Sequence, residues 1–183
     1  MPLTPELQPG WWSGWWFTAA YWIVTLALTA RCSREAIQRM TGIPEMNKWE
    51  WVSARLMIQL YFAPMVYAAF VPIKFGTIGF YLGIPIFLGG LVVYALTIIH
   101  NGSAPMDGPI EKGLYRRSRH PMYLAHFVAW IGAGLAMGSW VIILATILLM
   151  ATMHHTVLLE ERTCLKLYGD SYKAYMERVP RYF

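Results

Sequence analysis

Charged residues are scarce in this chain. Aspartate, glutamate, lysine and arginine make up 14% of its 183 residues, and 57% of the residues are hydrophobic. Soluble globular domains contain about 25% charged residues, so this composition argues against a soluble domain. It predicts an integral membrane protein instead.

Cysteine is also scarce, and no metal-binding pattern is present. The chain has two cysteines, Cys32 and Cys164, which we interpret as small packing residues rather than redox groups. No set of histidines and cysteines has the spacing of a zinc site, so no metal is expected. Internal repeats and low-complexity tracts are absent as well, and residues 1–183 are predicted to form one domain.

Five apolar stretches are candidates for membrane-spanning helices. Two of them are short for a bilayer core of about 30 Å, which needs about 20 helical residues. The sequence MGSW separates the last two and predicts a tight helical hairpin. The predicted fold class is all-α, with about five transmembrane helices at residues 11–30, 57–73, 77–99, 122–138 and 139–159.

Positive charge is distributed unevenly along this layout. Every lysine and arginine except Lys74 falls in a segment on one side of the predicted membrane. Because cytoplasmic loops are enriched in positive residues, we expect the N-terminus outside and the C-terminus in the cytoplasm. The net charge of +5 is then a topology signal that also favours anionic lipids, and nucleic acid is not an expected partner.

Polar side chains collect on the predicted cytoplasmic side. Pro121 suits the first position of a helix, and it turns His120 away from that helix. The exposed helix N-terminus beside Arg119 and His120 is suited to an anionic group such as a carboxylate. The alternative is a basic membrane border followed by an ordinary proline start.

Two adjacent carboxylates, Glu160 and Glu161, follow the last apolar stretch. They are unfavourable there unless they are solvated or paired with cations. A ligand with a cation and hydroxyl groups would satisfy the one that points inward. Solvated acids at the start of a charged tail are the alternative.

Two segments outside the predicted spans have amphipathic patterns. In the tail, apolar and aromatic residues recur at helical spacing around Gly169, which predicts an amphipathic element on the membrane face. In the first loop, Ala36, Ile37 and Met40 are compatible with a short interfacial helix, although a solvated connector is the slightly favoured interpretation.

Three motifs in the C-terminal half, GLYRRSRHPMYLA, EERTCLKLYG and YKAYMERVPR, resemble those of a known membrane enzyme superfamily. It contains the isoprenylcysteine carboxyl methyltransferases and the phospholipid methyltransferases. The resemblance places the catalytic part at about residues 98–183. It implies S-adenosyl-L-methionine as methyl donor, bound at the cytoplasmic face by the loop before the fourth span and the C-terminal amphipathic segment.

The resemblance also implies site residues. The donor pocket would comprise His100, Asp107, Gly108, Pro109, Ile110, Tyr115, His120, Pro121, Met122, Tyr123 and Glu160. The candidates for catalysis are Arg119, His120, Glu161 and His155. In this interpretation Arg119 faces the donor carboxylate, while an amine or thiol acceptor would require a base, for which we favour His155 over His154 and Glu161.

The expected function is methyl transfer to a membrane-embedded lipid or prenylated substrate, of the isoprenylcysteine carboxyl methyltransferase type. Two departures weaken carboxyl methylation specifically. The prenylcysteine enzymes resemble one another in an arginine at the position of Thr156, and in a loop segment like HxLV where this chain has Asp107–Ile110. A phospholipid amine or a thiol therefore stays open as acceptor. A nicotinamide-dependent sterol-type reductase and a non-catalytic membrane scaffold are the competing classes, and the oligomeric state is undetermined.

Overall fold

The fold of residues 7–8, 10–42 and 45–183 is described by a computed structural model. In these ranges the chain forms seven α-helices and one 3₁₀ turn, Gly113–Arg116, with no β-strand beyond an isolated bridge between Ser13 and Pro72. The all-α expectation is confirmed. The helices are α1 (Trp15–Thr29), α2 (Arg34–Thr41), α3 (Lys48–Ala68), α4 (Ile78–Gly102), α5 (Pro121–Met137), α6 (Trp140–Tyr168) and α7 (Asp170–Arg178).

Two helices, α4 and α6, are long and apolar enough to cross a membrane. Helices α1 and α5 are apolar but shorter, so the five predicted spans are supported only in part. Helix α3 begins well before its apolar part, because Asn47 and Glu50 form a capping box at its start. The charged residues Lys48 and Glu50 of the first turn lower the mean hydropathy of α3. The predicted external N-terminus concerns residues 1–6, which lie outside the described ranges.

The turn predicted at MGSW is present. Gly138 ends α5 with φ 60°, a left-handed conformation that favours glycine, and its neighbour Ser139 donates its backbone N–H to Gly134. The side chain of Ser139 then accepts from the backbone N–H of Ile142 and caps α6. The two helices therefore leave the turn as neighbours.

Helices α4 and α5 approach each other closely through small residues. A β-carbon at Gly83, Gly90 or Gly132 would lie 2.3–2.5 Å from a backbone atom of the opposite helix. The small-xxx-small spacing of Ala125, Ala129 and Ala133 in α5 predicts packing within the α5–α6 hairpin. Ala129 instead faces Gly90 of α4, so part of this alanine stripe packs against α4. This interface fixes α4 relative to the start of α5.

A group of aromatic residues without charged partners fills the space between α1, α3, α4 and α5. We call it the neutral cluster; its members are Tyr21, Tyr61, Tyr94, His126 and Trp130. His126 Nδ1 lies 2.9 Å from the hydroxyl of Tyr21, and the ring of Tyr61 stacks on His126 at 4.7 Å. The cluster joins the N-terminal helices to α5.

The residues after α7 return to the start of α5. The backbone N–H of Arg119 donates to the carbonyl of Pro180 at 3.0 Å, and the hydroxyl of Ser118 donates to the carbonyl of Arg181 at 3.1 Å. Tyr175 of α7 donates to the carbonyl of Tyr115 at 2.7 Å. The C-terminal segment is thereby tied to the loop that precedes α5.

Candidate functional site

A cavity of about 540 Å³ lies between the start of α5, the end of α6, α7, α2 and the loop after α4. A volume of this size is typical of small-molecule sites. Most of the residues predicted for the donor pocket line it. They are Gly108, Pro109, Ile110, Tyr115, His120, Met122, Tyr123 and Glu160.

His120 and Glu160 meet at the wall of this cavity. His120 Nδ1 lies 3.5 Å from Glu160 Oε2, although the two residues belong to different helices. Tyr123, one turn into α5, donates its hydroxyl to Glu160 Oε1. Glu160 keeps 36% of its side chain exposed, so it presents a carboxylate to the cavity.

Glu161 has the opposite environment. Its side chain is 5% exposed, and Arg119 and Arg181 both bind it, each at 2.9 Å or less. His120 Nε2 completes the group at 3.3 Å from Glu161 Oε1. We call Arg119, His120, Glu160, Glu161 and Arg181 the charged cluster. Within the charged cluster, Glu161 joins the two arginines to α6, and Glu160 faces the cavity.

Arg119 is occupied by protein acceptors. Its Nε donates to Glu161 at 2.9 Å, and its Nη1 donates to the carbonyls of Met176 at 3.0 Å and Val179 at 2.6 Å. The Nη2 atom pairs with the same carboxylate. The guanidinium, predicted to face a donor carboxylate, therefore joins α5, α6 and the segment after α7.

His100 and Asp107 do not line the cavity. The ring of His100 lies under the 3₁₀ turn, where its Nδ1 accepts from the backbone N–H of Leu114 at 3.3 Å. A β-carbon at Gly113 would fall 2.2 Å from this ring, and Gly113 also has φ 56°. His100 thus packs against the 3₁₀ turn of the loop between α4 and α5, whereas Asp107 is exposed.

The remaining predicted residues lie elsewhere. Pro121 is the buried first residue of α5, as its position before MYLA predicts. His155 lines a second cavity of about 430 Å³ beside the ion pair of Glu50 and Arg162, and it does not line the first. His154 Nδ1 lies 2.8 Å from the hydroxyl of Tyr182.

The environment of the cavity shifts the pKa values of several titratable groups outside the helical spans, among them His120 and Tyr115. Burial opposes protonation of His120, but its hydrogen bonds to Glu160 and Glu161 outweigh burial and raise the pKa of the imidazole. Burial raises the pKa of Tyr115 to about 12, so its phenol stays protonated at neutral pH. The cavity wall therefore places an imidazole with a raised pKa and a protonated phenol next to one carboxylate.

Several residues of the site were not predicted from the sequence. Helix α2 closes one side of the cavity through Arg39, although a connector was the favoured interpretation of this segment. Arg39 Nε donates to Asn101 Oδ1 at 3.2 Å, Nη1 donates to the carbonyl of Pro105 at 2.7 Å, and Nη2 donates to the carbonyl of Asn101. Ser33, which accepts from the backbone N–H of Ala36, was the sequence signal for this helix.

The phospholipid methyltransferase family model matches residues 101–171, which include the loop, α5 and α6. The resemblance expected from the motifs is confirmed. Over 72 residues the chain is also 29% identical to the protein-S-isoprenylcysteine O-methyltransferase of Schizosaccharomyces pombe, a match that covers 39% of this chain and 30% of that protein. The match thus spans less than a third of the relative. The matched family segment contains the start of α5 and both glutamates, and it excludes α1, α2, α3 and Arg181.

Proposed function

We propose that the chain is an S-adenosyl-L-methionine-dependent methyltransferase that acts on a membrane-embedded substrate, in the first place a prenylated one of the isoprenylcysteine type. The observation that carries this proposal is the contact of His120 with Glu160 at the wall of a cavity large enough for a nucleoside. The match to an isoprenylcysteine O-methyltransferase supports the substrate class.

The cavity residues fit the methyl donor chemically. The donor has two cationic groups, a sulfonium and an ammonium, and a ribose with hydroxyl donors. Glu160 is a carboxylate acceptor for the ammonium or the ribose. The aromatic and apolar wall, which includes Tyr115, Met122 and Ile110, is suited to an adenine and a sulfonium.

The donor supplies an electrophilic methyl group, and the task left to the protein is to hold the reactants in line and away from water. In our proposal Tyr123 and His120 orient the Glu160 carboxylate by hydrogen bonds. Glu161 and Arg119 keep the start of α5 against α6. A carboxylate acceptor needs no base, and His155, which lies outside this cavity, has no part in the proposed donor site.

A phospholipid amine is the second candidate acceptor. The family model that matches residues 101–171 is that of phospholipid methyltransferases, and this match favours it. Thr156 also supports it, because its hydroxyl donates to Met57 and offers no positive charge for a substrate carboxylate.

Binding and transfer are tested on the purified chain in lipid nanodiscs. We expect saturable binding of S-adenosylhomocysteine by calorimetry. We also expect transfer of a labelled methyl group from S-adenosylmethionine to one member of a panel that contains a prenylcysteine acid, phosphatidylethanolamine and an alkyl thiol. The labelled product identifies the acceptor class.

The matched variants are Glu160→Gln, at the cavity, and Glu177→Gln, at an exposed position of α7. Glutamine keeps an acceptor oxygen but loses the charge, and a hydrogen bond to a charged group is roughly twice as strong as a neutral one, so Glu160→Gln should weaken binding about three- to tenfold. Glu177→Gln should bind like the unmodified chain. Absence of saturable binding in the unmodified chain would contradict the proposal.

A further inference from the structure

Arg39 of α2 is a cation in the cavity wall that the family match does not include. We propose that Arg39 binds the carboxylate of the amino-acid part of the methyl donor. The inference rests on the proposed function, which it extends to a specific ligand group and to an element outside residues 101–171.

Three basic side chains line the cavity among the described residues: Arg39, Arg119 and His120. Two of them already face protein carboxylates. Arg119 is bound to Glu161, and His120 lies between Glu160 and Glu161. Both therefore lie against a carboxylate of the protein.

Arg39 differs because the acceptors that it binds among the described residues are neutral. They are the side-chain oxygen and carbonyl of Asn101 and the carbonyl of Pro105. No carboxylate of the described residues forms an ion pair with it, although Glu35 lines the same cavity from the preceding turn of α2. A guanidinium has five N–H groups, so three bonds to neutral acceptors leave donors for a carboxylate.

The positive and the negative groups that face the cavity come from different helices. Arg39 enters from α2, and Glu160 enters from α6. An amino acid carries an ammonium and a carboxylate on one carbon. The cavity wall has one guanidinium without a carboxylate partner among the described residues and one partly exposed carboxylate, and together they complement both groups. A purely structural role is the competing explanation, since Arg39 also binds carbonyls at the C-terminal end of α4, where a cation is favourable.

A ligand pair separates these explanations. One ligand is S-adenosylhomocysteine, and the other is its decarboxylated analogue, which keeps the amine and the nucleoside. We expect the unmodified chain to bind S-adenosylhomocysteine at least about tenfold more tightly, because a hydrogen-bonded charged group contributes about 1.5–3 kcal/mol. In Arg39→Met this preference should disappear, with affinity for the analogue unchanged within about twofold.

The control is Arg34→Met, an exposed arginine of the same helix that does not line the cavity. It should keep the full preference for the carboxylate. Arg39→Lys retains the charge without the planar pair of donors and should show a reduced preference that is still present. It provides the comparison if Arg39→Met fails to fold.

Three other results of the binding measurements would contradict the inference. Equal affinities of the unmodified chain for both ligands would overturn the role of Arg39 and leave the proposed function standing. A preference that persists in Arg39→Met, with both affinities lowered by the same factor, would show that Arg39 only holds the loop. Failure of the unmodified chain to bind either ligand would overturn the proposed function and this inference together.

Discussion

The charged cluster and the neutral cluster each contain a histidine from the start of α5, yet their chemistry differs. His120 lies between the carboxylates of Glu160 and Glu161, and Glu161 also binds Arg119 and Arg181. His126, within two turns of it, contacts the rings of Tyr21, Tyr61 and Trp130 and the hydroxyl of Tyr21, and it has no ion pair among the described residues. Charge is therefore confined to the end of α5 that borders the cavity.

Changes in the charged cluster should affect ligand binding or the attachment of the tail, and changes in the neutral cluster should affect stability alone.

The largest effect is expected for Glu161→Gln. This substitution removes the carboxylate shared by Arg119 and Arg181 and leaves the guanidinium of Arg119, which is 7% exposed, without its ionic partner. Removing one member of a buried ion pair destabilises a protein by about 3–5 kcal/mol. Denaturant titration in detergent micelles measures the free energy of unfolding.

The matched control is Glu160→Gln, one residue earlier. Glutamine still accepts the hydrogen bond of Tyr123, so its free energy of unfolding should stay close to that of the unmodified chain. Equal destabilisation by the two variants would contradict the assignment of a structural role to Glu161 and a ligand-facing role to Glu160.

A smaller effect is expected in the neutral cluster. Tyr21→Phe removes the hydroxyl that lies 2.9 Å from His126 Nδ1 and leaves a buried nitrogen unpaired, which is unfavourable by about 1–3 kcal/mol. The affinity for S-adenosylhomocysteine should not change. Tyr81→Phe, at an exposed position of α4, serves as control in the same unfolding measurement. A large loss of ligand affinity in Tyr21→Phe would show that the two clusters are coupled.

The smallest effect concerns pH. Because the pKa of His120 is raised above 6.5 in the folded chain, protonation of this residue stabilises the fold. The stabilisation is fully present below the pKa of the unfolded chain and is lost as the pH rises through the folded value. We expect the free energy of unfolding to fall as the pH rises above 6.5, and to fall less steeply in His120→Gln. Identical pH dependence in both proteins would contradict the assignment.

Short sequence motifs predicted those parts of the site that depend on neighbouring residues. Proline at the start of α5, the MGSW turn before α6 and the pair Glu160–Glu161 are features of short segments. Their backbone preferences and polarity follow from neighbouring residues, so the meeting of His120 with Glu160 was predictable once the hairpin was predicted.

Contacts between distant segments were not predictable in this way. Arg181 reaches Glu161 and Arg39 reaches Asn101 through the packing of separate helices, and no periodicity encodes such pairs. The same limit applies to Arg119, whose charge was recognised but whose partners in the tail were not. Among the five predicted spans, α4 and α6 are long and apolar enough to cross a membrane, whereas α1 and α5 are shorter. Hydropathy alone also did not predict that α3 begins at Lys48, before its apolar part.

The pairing of Arg181 with Glu161 sets an order of assembly during synthesis. A nascent chain that has grown only as far as Tyr168 already contains the α5–α6 hairpin and both glutamates. Its Glu161 still lacks the second guanidinium, and the carbonyls that receive Arg119 have not yet been made. The α5–α6 hairpin is therefore synthesised before the residues that bind its polar end, so Glu161 gains its full set of partners only after translation has passed residue 181.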